Sequence, residues 1–259
     1  MPPLRLHLQD VGMTIAAPCR STPAPPPPVS ALVRALCEPW MFYKRAILRP
    51  RLSRAVFERV EGRHFVVWPG VFNPVVFRTG RFLAQFISRT KLLEPRLPSP
   101  TALDVGTGCG ILAVFAALRG YRVTATDIEP QAVSCARANA ILNRVEESVL
   151  VVEGDLFAPV QGQTFDVVLF SLPKFRGEPT TAFERAWKSP DVIERFARGL
   201  PGVLKQDGVA LFVLTSHGDP KGMLTALSRA GLAVERLVWR HFGVETMAIY
   251  AARHSHVKP

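Results

Sequence analysis

The chain has 259 residues and a mass of 28.6 kDa, enough for one medium catalytic domain with an accessory segment. With 48% hydrophobic and 20% charged residues, and no run approaching the ~20 apolar residues of a membrane-spanning helix, it reads as a globular protein and not an integral membrane protein. Its four cysteines, Cys19, Cys37, Cys109 and Cys135, form no CxxC pair and follow no secretory leader; a disulfide framework or a zinc knuckle has no support, and a reducing, cytoplasmic setting without a metal is expected. The net charge of +11 is uneven: residues 1–100 carry 15 Lys+Arg against 5 Asp+Glu, residues 101–259 carry 17 against 16. A basic front half can track phosphates or meet an acidic substrate, although 13 of its 15 cations are arginines amid many prolines, a mix that equally suits a solvated surface.

In chain order, residues 1–30 end in Thr22-Pro23-Ala24-Pro25-Pro26-Pro27-Pro28, whose missing amide donors favour an extended, disordered tail. Residues 31–97 read as a small helical cap and a hairpin. Leu32, Val33, Leu36 and Trp40, then Leu48, Leu52 and Val56, recur at helical spacing and predict two short helices broken at Pro39 and Pro50. The apolar runs on either side of Pro69-Gly70 predict a β-hairpin turning there. Phe82, Leu83, Phe86 and Ile87 give the stretch from Thr79 to Ile87 one apolar helical face.

From residue 98 to 259 short β-rich runs alternate with helical ones. Strands are expected at 102–105, 122–126, 148–152, 165–170, 209–214, 234–238 and 246–251. Helices are expected at 111–118, 131–142 and 220–229, and from about Pro190 with Ser189 as N-cap. This is the rhythm of a seven-stranded, doubly wound α/β sheet.

Leu103-Asp104-Val105-Gly106-Thr107-Gly108-Cys109-Gly110 ends a strand and opens a helix, so the backbone can turn tightly and approach a ligand. Ile111 stands where a dinucleotide fingerprint wants its third glycine, and the Lys-Ser/Thr of a phosphate-binding P-loop is missing. With Asp104 before the glycines and Asp127 closing the next strand, the arrangement resembles class I S-adenosylmethionine-dependent methyltransferases, which have a Rossmann-like fold. The segment from Val60 to Pro74 with Thr79 resembles in particular the protein-glutamine N5-methyltransferases of release-factor type.

That resemblance implies S-adenosyl-L-methionine as cofactor, held by Thr79, Asp104, Gly106, Thr107, Gly108 and Gly110. It also implies Asp127 on the ribose hydroxyls, Ile128 against adenine, and Asp155 and Leu156 on the adenine edge. At the end of the fourth strand, the (Asn/Asp/Ser)-Pro-Pro-(Tyr/Phe) of amino-methylating relatives is here Ser171-Leu172-Pro173-Lys174, followed by Phe175. Ser171 and the Leu172 carbonyl are expected to accept hydrogen bonds from an acceptor nitrogen, with Pro173 shaping the loop. Lys174, Phe175 and Phe72 are expected to touch the acceptor, a small molecule or a protein side chain. An RNA acceptor, favoured by the basic front half, and a catalytically inactive partner subunit are the alternatives. No general base is assigned; His217 and His64 are the histidines best placed for one.

Overall fold

The computed structural model describes residues 14–15, 23–28, 52–95, 98–171 and 175–255. The two expected cap helices fall largely, and Leu172, Pro173 and Lys174 wholly, outside them. A two-residue strand, β1 (Thr14–Ile15), is followed by the hairpin β2 (Val56–Val60) and β3 (Arg63–Val67), then by α1 (Pro74–Phe77) and α2 (Thr79–Arg89). The α/β alternation runs β4 (Thr101–Val105), α3 (Ile111–Leu118), β5 (Arg122–Asp127), α4 (Pro130–Leu142), β6 (Val149–Glu153) and β7 (Phe165–Phe170). It continues with α5 (Ala182–Arg185), α6 (Val192–Val203), β8 (Leu204–Thr215), α7 (Pro220–Arg229), β9 (Leu232–His241) and β10 (Thr246–His254).

The seven expected strands form one mixed sheet, extended at its β9 edge by β1, in the order β1-β9-β10-β8-β7-β4-β5-β6. Strands β4 to β8 run parallel, while β10 is antiparallel to both β8 and β9. The chain starts in the middle at β4, winds outward to β6, and returns to β7 on the other side of β4. This reversal leaves a crevice at the carboxyl ends of β4 and β7, the place where open α/β sheets bind ligands.

Both faces are packed, as a parallel sheet requires. Val167, Leu169, Val209, Leu211 and Val213 point into a core shared with α2, α3, α4 and the hairpin. Their alternating neighbours Val168, Phe170, Ala210, Phe212 and Leu214 point into a second core with α6 and α7. The period-2 alternation of side chains along each strand therefore fixes which residue faces which layer. No helix among the described residues is long and apolar enough to cross a membrane.

Several expectations are corrected. The hairpin turns at Glu61-Gly62, whose φ of 46° and 79° suit a tight two-residue turn, and not at Pro69-Gly70. Pro69-Gly70 forms a later turn, closed by the Val71 amide donating to the Trp68 carbonyl at 3.1 Å, and Val56 belongs to a strand. Helix α6 starts at Val192; Ser189 still caps it in effect, its Oγ accepting from the Val192 amide at 3.2 Å.

The described part of the Pro-rich segment is also packed. β1 pairs with β9, Pro26 is buried, and the Tyr250 hydroxyl donates to the Ala24 carbonyl at 2.8 Å. Proline lacks an amide donor but keeps its carbonyl and ring surface, and both are used here.

Candidate functional site

The glycine loop is held by backbone bonds from end to end. The Thr107 amide donates to the Thr126 carbonyl at 2.9 Å, tying the loop to β5, and the Gly110 amide donates to the Thr107 carbonyl at 2.9 Å. At Gly110 the φ of +80° strains any side chain, and a Cβ there would crowd α4, standing 3.0 Å from the Cα of Ala136. Gly108, at φ +57°, would present a Cβ to open space, so its bare backbone faces the cavity, and its amide donates to Asp127 Oδ2 at 2.8 Å.

Asp127, half-buried at the end of β5, accepts from the Gly108 amide with one oxygen and from the Glu129 amide (3.0 Å) with the other. Burial pushes its carboxyl upward from the ordinary value, and the backbone donors hold it down. Its neighbour Ile128 is exposed on the cavity wall. Leu156, at φ +49°, lines the same wall, and its carbonyl accepts from Thr126 Oγ1 at 3.1 Å. Asp155, also at the wall, is paired with Arg195 of α6.

These residues surround a cavity of about 420 Å3 at the carboxyl edge of the sheet. Gly106, Thr107, Gly108, Asp127, Ile128 and Asp155 line it, as do Leu156, Phe72 and Ser171. Ser171 follows directly on β7, and its Oγ is buried with no hydrogen-bond partner among the described residues. A buried hydroxyl left unpaired costs about 1–3 kcal/mol. Phe72 stacks on Phe77 at 4.4 Å between centroids, and Phe77 leans on Trp187 at 5.6 Å.

Other expected residues do not reach the cavity. Asp104 is fully buried: its Oδ2 accepts from Thr107 Oγ1 (2.6 Å) and the Ala113 amide (3.1 Å), bracing the loop against α3, and burial pushes its carboxyl up to about 7. Gly110 serves helix packing. Thr79 is buried at the start of α2. Phe175 is joined to Lys188 in a short ladder and lies off the wall. Neither His64 nor His217 lines the cavity.

Sequence reading missed the segment from Glu178 to Arg195, which supplies a whole wall. Arg185 reaches across to Glu129 at 2.8 Å, and Arg176 clamps the segment to Glu194 (2.7 Å) and Asp219 (2.6 Å). It also missed Asn139 of α4, whose Nδ2 donates to the carbonyls of Val66 (2.7 Å) and Cys109 (2.8 Å), locking the hairpin to the glycine loop. Buried helical Asn is a rare residue type in a core, and that rarity was the available signal.

Fold and site together define a doubly wound α/β protein whose ligand cavity opens at the strand reversal. The family profile described as ribosomal protein L11 methyltransferase matches residues 81–171. A Methanocaldococcus jannaschii protein, provisionally assigned as a protein N5-glutamine methyltransferase, is 33% identical over 142 residues, covering 51% of this chain and 71% of that protein. The ribosomal protein L11 methyltransferase of Carboxydothermus hydrogenoformans is 37% identical over 127 residues, covering 49% of this chain but only 40% of that protein.

Among solved structures, a ribosomal protein L11 methylase from Lactobacillus delbrueckii subsp. bulgaricus superposes with a TM-score of 0.52 at 24% identity, covering 73% of this chain and 84% of that one. At that identity the likeness speaks for the fold alone. The chain belongs to the class I S-adenosylmethionine-dependent methyltransferases, in the group that includes the protein N5-glutamine enzymes.

Proposed function

We propose that the 420 Å3 cavity binds S-adenosyl-L-methionine and that a nitrogen of a protein side chain or small molecule is methylated at the end of β7. The residues fit the group. Gly108 offers an open backbone cradle, Asp127 a carboxylate for paired hydroxyls, Ile128 an apolar face, and Asp155 with the Leu156 amide a polar edge for adenine. Asp104 enters this reading as the brace of the glycine loop.

When bound, the cofactor supplies an electrophilic methyl group. The protein's part is to align and desolvate the acceptor, which orientation alone can accelerate by several kcal/mol of barrier, roughly 7–11 at the limit. Ser171 Oγ accepts a hydrogen bond from the acceptor nitrogen and so points its lone pair; the roles expected of Leu172 and Pro173 fall outside the described residues. Phe72, backed by Phe77 and Trp187, packs against the acceptor.

The single observation that carries the reading is the unpartnered Ser171 hydroxyl at the wall shared with the glycine loop and Asp127. The relative named for protein N5-glutamine methylation supports a nitrogen acceptor, and those named for ribosomal protein L11 and release factor support a protein one. The test is methyl transfer from radiolabelled S-adenosylmethionine by wild type and Ser171→Ala: loss of rate with retained S-adenosylhomocysteine binding supports the assignment, and an unchanged rate removes it.

A further inference from the structure

The charged groups on the cavity wall pair off, with two exceptions. Arg185 is bound to Glu129, Arg195 to Asp155 and more distantly to Asp191, and Asp127 to two backbone amides. Glu178 and Lys188 are left without an ion-pair partner among the described residues. Glu178 is exposed, so water screens it; Lys188 is half-buried, where an ammonium gains more from a partner.

The chain also holds Lys188 in place. Residues 175–177 and 187–189 form a ladder: the Phe175 amide donates to the Trp187 carbonyl (2.8 Å), the Ser189 amide to the Phe175 carbonyl (3.0 Å), and the Gly177 amide to the Ser189 carbonyl (3.3 Å). The stem of Lys188 crosses Gly177, where a Cβ would stand 2.9 Å from Lys188 Cε. Gly177, at φ +130°, thus leaves open the path that the stem occupies. Lys188 lines the cavity and is paired in the ladder with Phe175, four residues beyond Ser171, so it stands on the β7 side, where the acceptor is proposed to sit.

We infer that Lys188 binds an anionic group, a carboxylate or a phosphate, carried by the methyl acceptor next to its nucleophilic nitrogen. This rests on the reading of the cavity as a methyl-transfer site, and it narrows the acceptor to a small anionic amine or amide. An ammonium held at a protein wall is a point donor for such groups.

The test measures methyl transfer from radiolabelled S-adenosylmethionine to matched pairs that differ in one anionic group: phosphoethanolamine and ethanolamine, glutamine and glutaminamide, lysine and lysinamide. The expected result is labelling of at least one anionic member, with kcat/KM about tenfold or more above its neutral partner, the size of one charge-assisted hydrogen bond. Lys188→Met should erase that preference by raising KM, and Lys188→Arg should restore most of it. The phosphate and carboxylate pairs tell the two sources apart.

Equal treatment of paired compounds, no labelled anionic member, or a preference that survives Lys188→Met would overturn the inference. So would an equal loss of S-adenosylhomocysteine affinity in Lys188→Met, which would place the lysine on the cofactor. Calorimetry of wild type with S-adenosylhomocysteine separates the two levels: no binding sinks the methyl-transfer reading itself, whereas binding without an anion preference sinks only the role of Lys188.

Discussion

The two walls of the cavity draw on side chains to different degrees. The wall around Asp127 comes from short sequence runs at the ends of adjacent parallel strands, and main-chain amides hold its parts: Gly108 and Glu129 on Asp127, Thr107 on Thr126. The wall around Lys188 comes from pieces far apart in the chain, joined by the short backbone ladder of 175–177 with 187–189 and by many side chains: Phe72 through Phe77 to Trp187, Arg185 to Glu129, Arg176 to Glu194 and Asp219. The proposed acceptor contacts, Phe72 and Lys188, belong to the second wall.

Substitutions that separate the walls sharpen this contrast. The largest expected effect is on the backbone side: Gly110→Val forces a β-branched residue into φ +80° and against Ala136, and should cost about 2–4 kcal/mol of stability by urea denaturation. Asp127→Ala should leave the fold in place and weaken S-adenosylhomocysteine binding by about 1.5–3 kcal/mol in calorimetry, the value of hydrogen bonds to a charged group.

Asp104, buried beneath the first wall, tests the brace of the glycine loop. Burial raises its folded carboxyl to about 7, above the ~3.9 of an unfolded chain, so between those pH values the folded state holds a proton the unfolded state has released, and its contribution to stability falls as pH rises. Asp104→Asn lacks this dependence. Relative to wild type it should gain roughly 2 kcal/mol between pH 5 and 7, with S-adenosylhomocysteine affinity less affected than in Asp127→Ala.

Ser171→Ala should slow methyl transfer by about tenfold, near 1.4 kcal/mol. Arg185→Ala, which breaks a half-exposed pair, should change stability by less than about 1 kcal/mol by thermal melting. If Arg185→Ala cost more than Gly110→Val, the contrast between the walls would be wrong.

The same contrast explains what could be read from the sequence. The α/β alternation, the glycine turn and Asp127 were legible because each is a local pattern: a period of two or 3.6 residues, a positive φ, an acid at a strand end. The hairpin turn was misplaced because Pro69-Gly70 and Glu61-Gly62 both read as turns, and only the pairing of Val56 with Val67 decides between them. Asp104 and Asp127 look alike in sequence, but one is sealed beneath α3 and the other borders the cavity. The wall from Glu178 to Arg195 has no repeating pattern; its residues acquire a role only through contacts with Glu129, Asp155 and Phe77.

The most direct measurement is calorimetry of the folded wild-type protein and of Asp127→Ala with S-adenosylhomocysteine. The account predicts one site per chain in the wild type and a clear loss of affinity in the variant. Folded wild-type protein that takes up neither S-adenosylhomocysteine nor S-adenosylmethionine, or an Asp127→Ala variant that binds as tightly as the wild type, would contradict it.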